Sequence, residues 1–308
     1  MNKKLLFLIS VSLCFSLKQS LAQYNLDYGV RVGVANYLGD IGGELEDRKP
    51  FIYDLKLAKT RPTISVFARY KLHPLFGAKV SLNYLQIAGD DKLSDNMGRK
   101  SRNLSFRTDI VDLSALGEFY FFEINDLGRT YRYRNDFRAY FYTGVCAFWY
   151  QPQAKYNGEW YRLRKLQTEG PSNAYGPISF ATPLGIGFYF TIEKKYRIGW
   201  ELDWRKTFTD YLDDISTVYA DTSLFTDPIA RALANRRDEL PAEDDLLAHP
   251  ANYSPGNKRG DPSKKDAYLF STINFSYVIR GKSGFYRSKY GSVFKGKKYR
   301  KRRVRAKF

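Results

Sequence analysis

The chain has 308 residues and a formal charge of +18, from 50 Lys and Arg against 32 Asp and Glu, and 17% of it is aromatic. Its two histidines, His73 and His249, argue against a multi-histidine metal site and against histidine-dependent catalysis. Of its two cysteines, Cys14 falls in a leader pattern described below, which leaves Cys146 without an intramolecular disulfide partner.

Residues 1–22 read as a secretory signal peptide. Lys3 and Lys4 form a basic start, Leu5 to Leu17 an apolar run, and Ser20-Leu21-Ala22 a small-x-small cleavage site. Leu13 is too large for lipoprotein cleavage at Cys14. The expected mature chain starts at Gln23 and lies outside the cytoplasm. The charge is concentrated at the other end, where residues 280–308 hold 13 Lys and Arg and no acid. Without leader and tail the body is nearly neutral.

No stretch approaches the ~20 apolar residues of a spanning helix. Eight segments instead alternate with a period of two, each long enough to cross a bilayer at a tilt, about 9–11 residues. Residues 25–37 set Leu26, Tyr28, Val30, Val32 and Val34 against Asp27, Gly29, Arg31 and Gly33. A long connection, 38–61, follows. Residues 62–72 set Ile64, Val66, Ala68 and Tyr70 against Thr63, Ser65, Phe67 and Arg69. After a tight turn at 73–76, residues 77–88 set Ala78, Val80, Leu82 and Tyr84 against Lys79, Ser81 and Asn83. A polar loop is expected over 89–106.

In 107–123, Val111, Leu113, Ala115, Phe119 and Phe121 oppose Asp112, Ser114, Glu118 and Tyr120. A polar turn covers 124–136. Residues 137–150 are aromatic on both faces, so alternation does not orient them. Residues 151–177, rich in Gly, Pro and Tyr, read as a loop. The hairpin Pro183–Arg205 has the clearest pattern. Leu184, Ile186, Phe188, Phe190 and Ile192, then Ile198, Trp200, Leu202 and Trp204, form one apolar face; Arg197, Glu201, Asp203 and Arg205 charge the other. The longest connection, 209–265, holds a predicted helix over Ile229–Leu240, with Asp227 as cap and Pro228 at its first position. Residues 267–279 complete the set, with Leu269, Ile273, Phe275 and Tyr277 opposite Tyr268, Phe270, Thr272, Asn274 and Ser276.

The connections run long, short, long, medium, long, short, long. Together with the even strand count, this predicts an all-β fold, an eight-stranded antiparallel transmembrane β-barrel over 23–280 with both termini periplasmic. A soluble barrel would turn its apolar face inward around a ligand. Here the inner face carries Arg31, Arg69, Lys79, Arg197 and Arg205 against Asp27, Asp112, Glu118, Glu201 and Asp203, so a paired, plugged lumen is expected.

After the seventh strand comes Thr207-Phe208-Thr209-Asp210-Tyr211-Leu212-Asp213-Asp214-Ile215-Ser216, and after the first Asn36-Tyr37-Leu38-Gly39-Asp40. With these two segments, residues 24–280 resemble the PorG-like outer-membrane barrel proteins of Bacteroidota, components of the type IX secretion system. The resemblance implies an eight-stranded barrel in the outer membrane that associates with periplasmic secretion-ring proteins. The 217–265 insertion and the basic tail are not carried over from that family. The alternatives are a structural or ligand-binding barrel without a secretion role, or an enzyme acting through its outer loops.

Candidate sites have plainer counterparts. Asp210, Asp213 and Asp214 suit calcium by charge, but their spacing is not an EF-hand, and capping of backbone amides or pairing with a lumen arginine is expected instead. Glu201 and Asp203 could form a hydrolytic pair, yet their arginine neighbours favour ion pairing. Gly39, Gly42 and Gly43 lack the strand-to-helix context of a phosphate loop. No cofactor, metal or small-molecule substrate is indicated. The tail holds Lys295, Lys297, Lys298, Arg300, Lys301, Arg302, Arg303 and Arg305, interleaved with aromatics. Behind a leader, this pattern points to an acidic protein surface or anionic lipid rather than to nucleic acid; the plain reading is a solvated tail.

Overall fold

The structure, a computed structural model, describes residues 26–41, 57–125, 136–193, 195–240 and 250–279. The leader, 42–56, 126–135, 241–249 and the basic tail lie outside the described residues, and so do the readings made on them, including Gly42 and Gly43.

Nine strands form, β1 (Leu26–Leu38), β2 (Arg61–His73), β3 (Phe76–Asp90), β4 (Ser105–Asn125), β5 (Asp136–Tyr156), β6 (Glu159–Arg162), β7 (Ile178–Ile192), β8 (Tyr196–Thr207) and β9 (Ala267–Ile279). Eight of them close a ring. The order β4-β3-β2-β1-β9-β8-β7-β5 is completed by β4 pairing with β5, and every neighbour is antiparallel. Closure leaves no edge strand in the ring, so no row of unpaired backbone groups is left to face lipid. The barrel is an inside-out one. Outward positions carry apolar side chains that stay exposed, such as Val145 at 70% and Ile273 at 60%, while inward positions carry the charge. A 13-residue strand runs about 43 Å, and tilted by ~40° it rises about 33 Å, close to the ~30 Å of bilayer hydrocarbon.

Alternation fails at one place on β4. A bulge between Tyr120 and Phe122 puts Phe121 and Phe122 both on the outside. On β5, pairing with β4 and β7 settles the orientation that the sequence left open. Tyr140, Tyr142, Cys146, Phe148 and Tyr150 turn inward, and Phe141, Val145 and Trp149 outward.

Three sequence expectations need correction. Residues 151–177 are not all loop: β5 runs to Tyr156 and returns as β6 through Asn157 and Gly158, whose φ angles are 49° and 90°. That is the positive-φ pair a two-residue hairpin demands. The polar loop 89–106 contains a short helix, α1 (Met97–Arg102), capped by the Asn96 side chain on the Arg99 amide. A one-turn helix, α2 (Leu163–Leu166), follows β6. The helix expected over 229–240 forms as α3 (Pro228–Ala234), with Asp227 accepting from the Ile229 amide as its cap. It stops early because Asn235 takes an extended conformation. There its side chain donates to the Tyr253 carbonyl at 3.1 Å and accepts from the Arg237 amide at 3.1 Å.

The interior is layered. Tyrosines 120, 140, 142 and 189 pack at the short-turn end. Charged side chains fill the middle. At the other end Phe106, Phe148, Tyr150, Tyr268 and Phe270 meet Leu212, Ile215 and Leu233 from the long loops, which close over the barrel as a cap.

Candidate functional site

The structure brings all ten inward charges together. Arg31, Arg69, Lys79, Arg197, Arg205, Asp27, Asp112, Glu118, Glu201 and Asp203 are each at most 3% exposed. Glu201 is the hub, 2.5 Å from Arg31 Nη1, 2.9 Å from Lys79 Nζ and 3.0 Å from Arg69 Nη2, and it accepts the Tyr140 hydroxyl at 2.5 Å. Arg69 also reaches Glu118 at 2.9 Å and Asp27 at 3.5 Å. Lys79 pairs with Glu118 at 3.3 Å, and Arg197 pairs with Asp27. Arg205 bridges Asp203 at 3.3 Å and Asp112 at 3.5 Å.

Polar neighbours take up remaining capacity. Asn83 accepts from Arg31 at 2.5 Å and donates to Asp112, Tyr268 donates to Asp112 at 3.1 Å, and Tyr120 donates to Glu118 at 2.6 Å. Aromatic faces hold the cations too, with Lys79 4.2 Å from the Tyr142 ring centroid and Arg69 4.9 Å from that of Tyr189. Such a network is costly to desolvate and holds only because opposite charges and hydrogen bonds are supplied together. Its side chains occupy the lumen. An acid such as Glu201 or Asp203, enclosed by cations and unexposed, is placed for ion pairing.

The loop motif forms the floor of the cap. Asp210, Leu212, Asp213 and Asp214 are all buried. Asp213 caps the Ile215 amide at 3.0 Å and accepts the Tyr37 hydroxyl at 2.7 Å. Tyr37 lies in the other motif segment, so the two segments meet in space although 176 residues separate these two positions. Asp214 accepts the hydroxyls of Thr168 and Tyr175, and its carbonyl accepts from Arg259 at 2.8 Å. Asp210 accepts the Ser216 hydroxyl at 2.8 Å. Thr209 accepts from the Tyr211 amide at 3.2 Å, and the Tyr211 ring stacks on Tyr175 at 4.4 Å. Of the two expected roles, capping a backbone amide or pairing with a lumen arginine, Asp213 takes the first; the arginine beside Asp214 is Arg259, from the 250–264 loop, and it meets the carbonyl. Gly39 is required by this packing, since a Cβ there would lie 1.8 Å from the Tyr37 hydroxyl and 2.3 Å from Asp266 Oδ1.

Tyr37 is 2.7 Å from both Asp213 Oδ2 and Asp266 Oδ1, and it receives the Asp40 amide at 3.0 Å. A phenol has one proton to give, so one of the two acids must be protonated to complete the set. Burial, with Asp266 and Asp40 nearby, lifts Asp213 well above the usual carboxylate range. Burial also raises Asp214, to about 6, against the pull of Arg259 and the two hydroxyls. Among the described residues no three His, Cys, Asp or Glu side chains are grouped to hold a metal ion. Cys146 is buried in the wall of the lumen.

Sequence reasoning missed Glu169, which accepts the Ser216 and Thr217 amides at 2.8 and 3.1 Å and pairs with Arg259 at 3.2 Å. It also missed Asp266, which accepts the Leu212 amide at 3.0 Å. Neither carries a local signal. Tyr140, by contrast, sits at an inward position that strand alternation identifies once β5 is oriented.

A family described as a domain of unknown function (DUF6089) matches residues 3–224. The chain belongs to that family. The match ends before β9, the strand that closes the ring. No curated protein matches the chain in sequence. Among solved structures, this DUF6089 member is similar to the outer membrane protein OprG of Pseudomonas aeruginosa, at 9% identity and TM-score 0.37 over 84% of this chain and 98% of that one. It is similar to Ail, the attachment invasion locus protein of Yersinia pestis, in complex with a heparin analogue, at 9% identity and TM-score 0.34 over 82% and 98%. It is also similar to the N-terminal β-barrel domain of P. aeruginosa OprF, at 8% identity and TM-score 0.32 over 83% and 98%. At these scores the fold is defined by the chain's own strand pairing.

Proposed function

We propose that this protein is a non-enzymatic, non-conducting outer-membrane barrel that serves as a component of a protein secretion machine. The observation that carries the reading is the inside-out barrel with a filled, charge-balanced lumen. An apolar exterior on all eight strands needs lipid, and ten paired lumenal charges leave no role as an open pore. Aromatic side chains near the short turns support membrane embedding. Tyr28, Tyr277 and Tyr196 lie on adjacent strands with ring centroids 6.2 and 5.7 Å apart, and Phe76 and Phe119 sit at 5.4 Å on the next part of the rim, as interfacial girdles do.

The secretion role rests on the resemblance of 36–40 and 207–216 to the PorG-like proteins. In this reading the long loops face outward, and both termini, with the tail 281–308, face the periplasm, where the polycation meets an acidic surface on the ring proteins. A loop-based enzyme has less support, because Glu201 and Asp203 are enclosed among cations. The test is copurification from detergent-solubilised membranes. Intact protein should bring down periplasmic ring proteins, and both deletion of 285–308 and rising salt should weaken the association. A lone monomer under all conditions would remove the secretion role and leave a plain structural barrel.

A further inference from the structure

The loops border an open pocket of about 520 Å³, separate from the lumen and touching the motif segments only at Asp40. Asp40 after β1, the α1 segment, Tyr219 and the 252–264 stretch build it, and no aliphatic side chain lines it. Five cations, Arg99, Arg102, Lys258, Arg259 and Lys264, face two acids. Both acids are engaged, Asp40 by the Asp261 amide at 2.8 Å and Asp261 by the Ser263 hydroxyl at 2.6 Å and Lys258 at 3.4 Å. Arg102 is neutralised from behind by Asp91 at 2.8 Å, and Arg259 by Glu169 at 3.2 Å. No ion pair engages Arg99 among the described residues. The Lys258 and Lys264 side chains are 70% and 45% exposed, so their donors are open to a ligand.

We propose that this cavity binds a saccharide bearing a phosphate group. Lining cations outnumber acids five to two, which suits an anion. They come from two separate segments, at 99–102 and 258–264. A tetrahedral oxyanion accepts donors from several directions, whereas a carboxylate accepts them in one plane. The volume far exceeds a bare anion. The remaining wall, of asparagines and the Tyr219–Tyr253 pair with ring centroids at 5.9 Å, is hydroxyl-compatible and suits a sugar ring. The phosphate could be presented on a soluble sugar or on a glycolipid headgroup. The cavity stands regardless of which end of the barrel faces out and of any secretion role.

The test is calorimetric titration of the full-length protein in phosphatidylcholine nanodiscs with glucose 1-phosphate, inorganic phosphate and glucose. Glucose 1-phosphate should bind saturably and more tightly than phosphate, and glucose should show no binding. Arg99→Gln with Lys258→Gln should weaken binding about tenfold or more, while Lys155→Gln with Arg162→Gln, exposed on β5 and β6 away from the cavity, should leave it unchanged. Lys264→Gln, a single change at an exposed side chain of the lining, should weaken binding without loss of heat-modifiable folding and so guards against a misfolded double variant. Nanodiscs containing a bisphosphorylated lipid A separate the sources. Fewer titratable sites there identify the glycolipid headgroup, and an unchanged number identifies a soluble sugar phosphate. The absence of saturable binding by glucose 1-phosphate, equal binding of glucose, or equal affinity in the cavity variants would overturn the proposal.

Discussion

Replacing Glu201 by Gln tests whether the lumen is a dry, coupled network. The substitution keeps shape and removes one charge. Three cations lose an anion within 3.0 Å, and the lumen changes from five against five to five against four. Arg31 retains Asp203 at 3.4 Å, and Arg69 and Lys79 retain Glu118 at 2.9 and 3.3 Å, so collapse is not expected. Breaking a buried pair from one side costs about 3–5 kcal/mol, because it strands charge in a poorly polarisable interior. Urea unfolding in lipid vesicles, followed by the heat-modifiable shift and tryptophan fluorescence, reads this loss. Adding Lys79→Met restores the balance at four against four, and the double variant should recover more than half of the deficit. A loss below about 1 kcal/mol, or a double variant whose cost is the plain sum of the two singles, would refute the reasoning, since hydrated or independent charges behave in that way.

Other consequences follow from the same geometry. Val80 lies on the lipid face at 52% exposure, and Val80→Arg should cost ~2–4 kcal/mol if it sits near the midplane, measured by the same urea titration; no loss would place this face outside lipid. The cap should respond to pH. Because Asp214 titrates at about 6 in the folded protein against an ordinary 3.8, the fold holds this proton more tightly than the unfolded chain does. Its stabilisation is full below pH ~4 and is lost as pH rises through about 6, a swing of about 3 kcal/mol. Asp213, also raised, acts in the same sense. Hydrogen exchange at 213–217, corrected for intrinsic rate, should therefore show more protection at pH 5 than at pH 7, and Asp214→Asn should reduce the difference; greater protection at pH 7 would contradict this.

Strand alternation is why most of the barrel was legible. A side chain's face depends only on its neighbours along the chain, so Asp27, Arg31 and Glu201 could be set in the lumen without knowing their partners. Partners are another matter. Arg31 sits beside Asn274 in the β1–β9 register but bonds Glu201 and Asp203 on β8, one strand further round. That choice depends on strand stagger and side-chain reach, which local sequence does not specify. The Tyr37–Asp213 contact was hidden for the same reason, being made between the end of β1 and a loop distant in sequence. The β6 hairpin is different. Its Asn157-Gly158 signal was present, but the surrounding Gly, Pro and Tyr content made the stretch resemble a plain loop. Asn235 ended α3 through side-chain contacts to a distant loop, which helix propensity does not register.

Single-channel recording is the most direct test of a filled, membrane-spanning barrel. Full-length protein is inserted into planar bilayers, with vesicles from the same preparation confirming insertion by protease protection of the barrel. The paired lumen predicts insertion without steady conductance, from low to high salt. Stable ohmic steps from inserted protein would mean a water-filled path through the Glu201 network and would contradict the account.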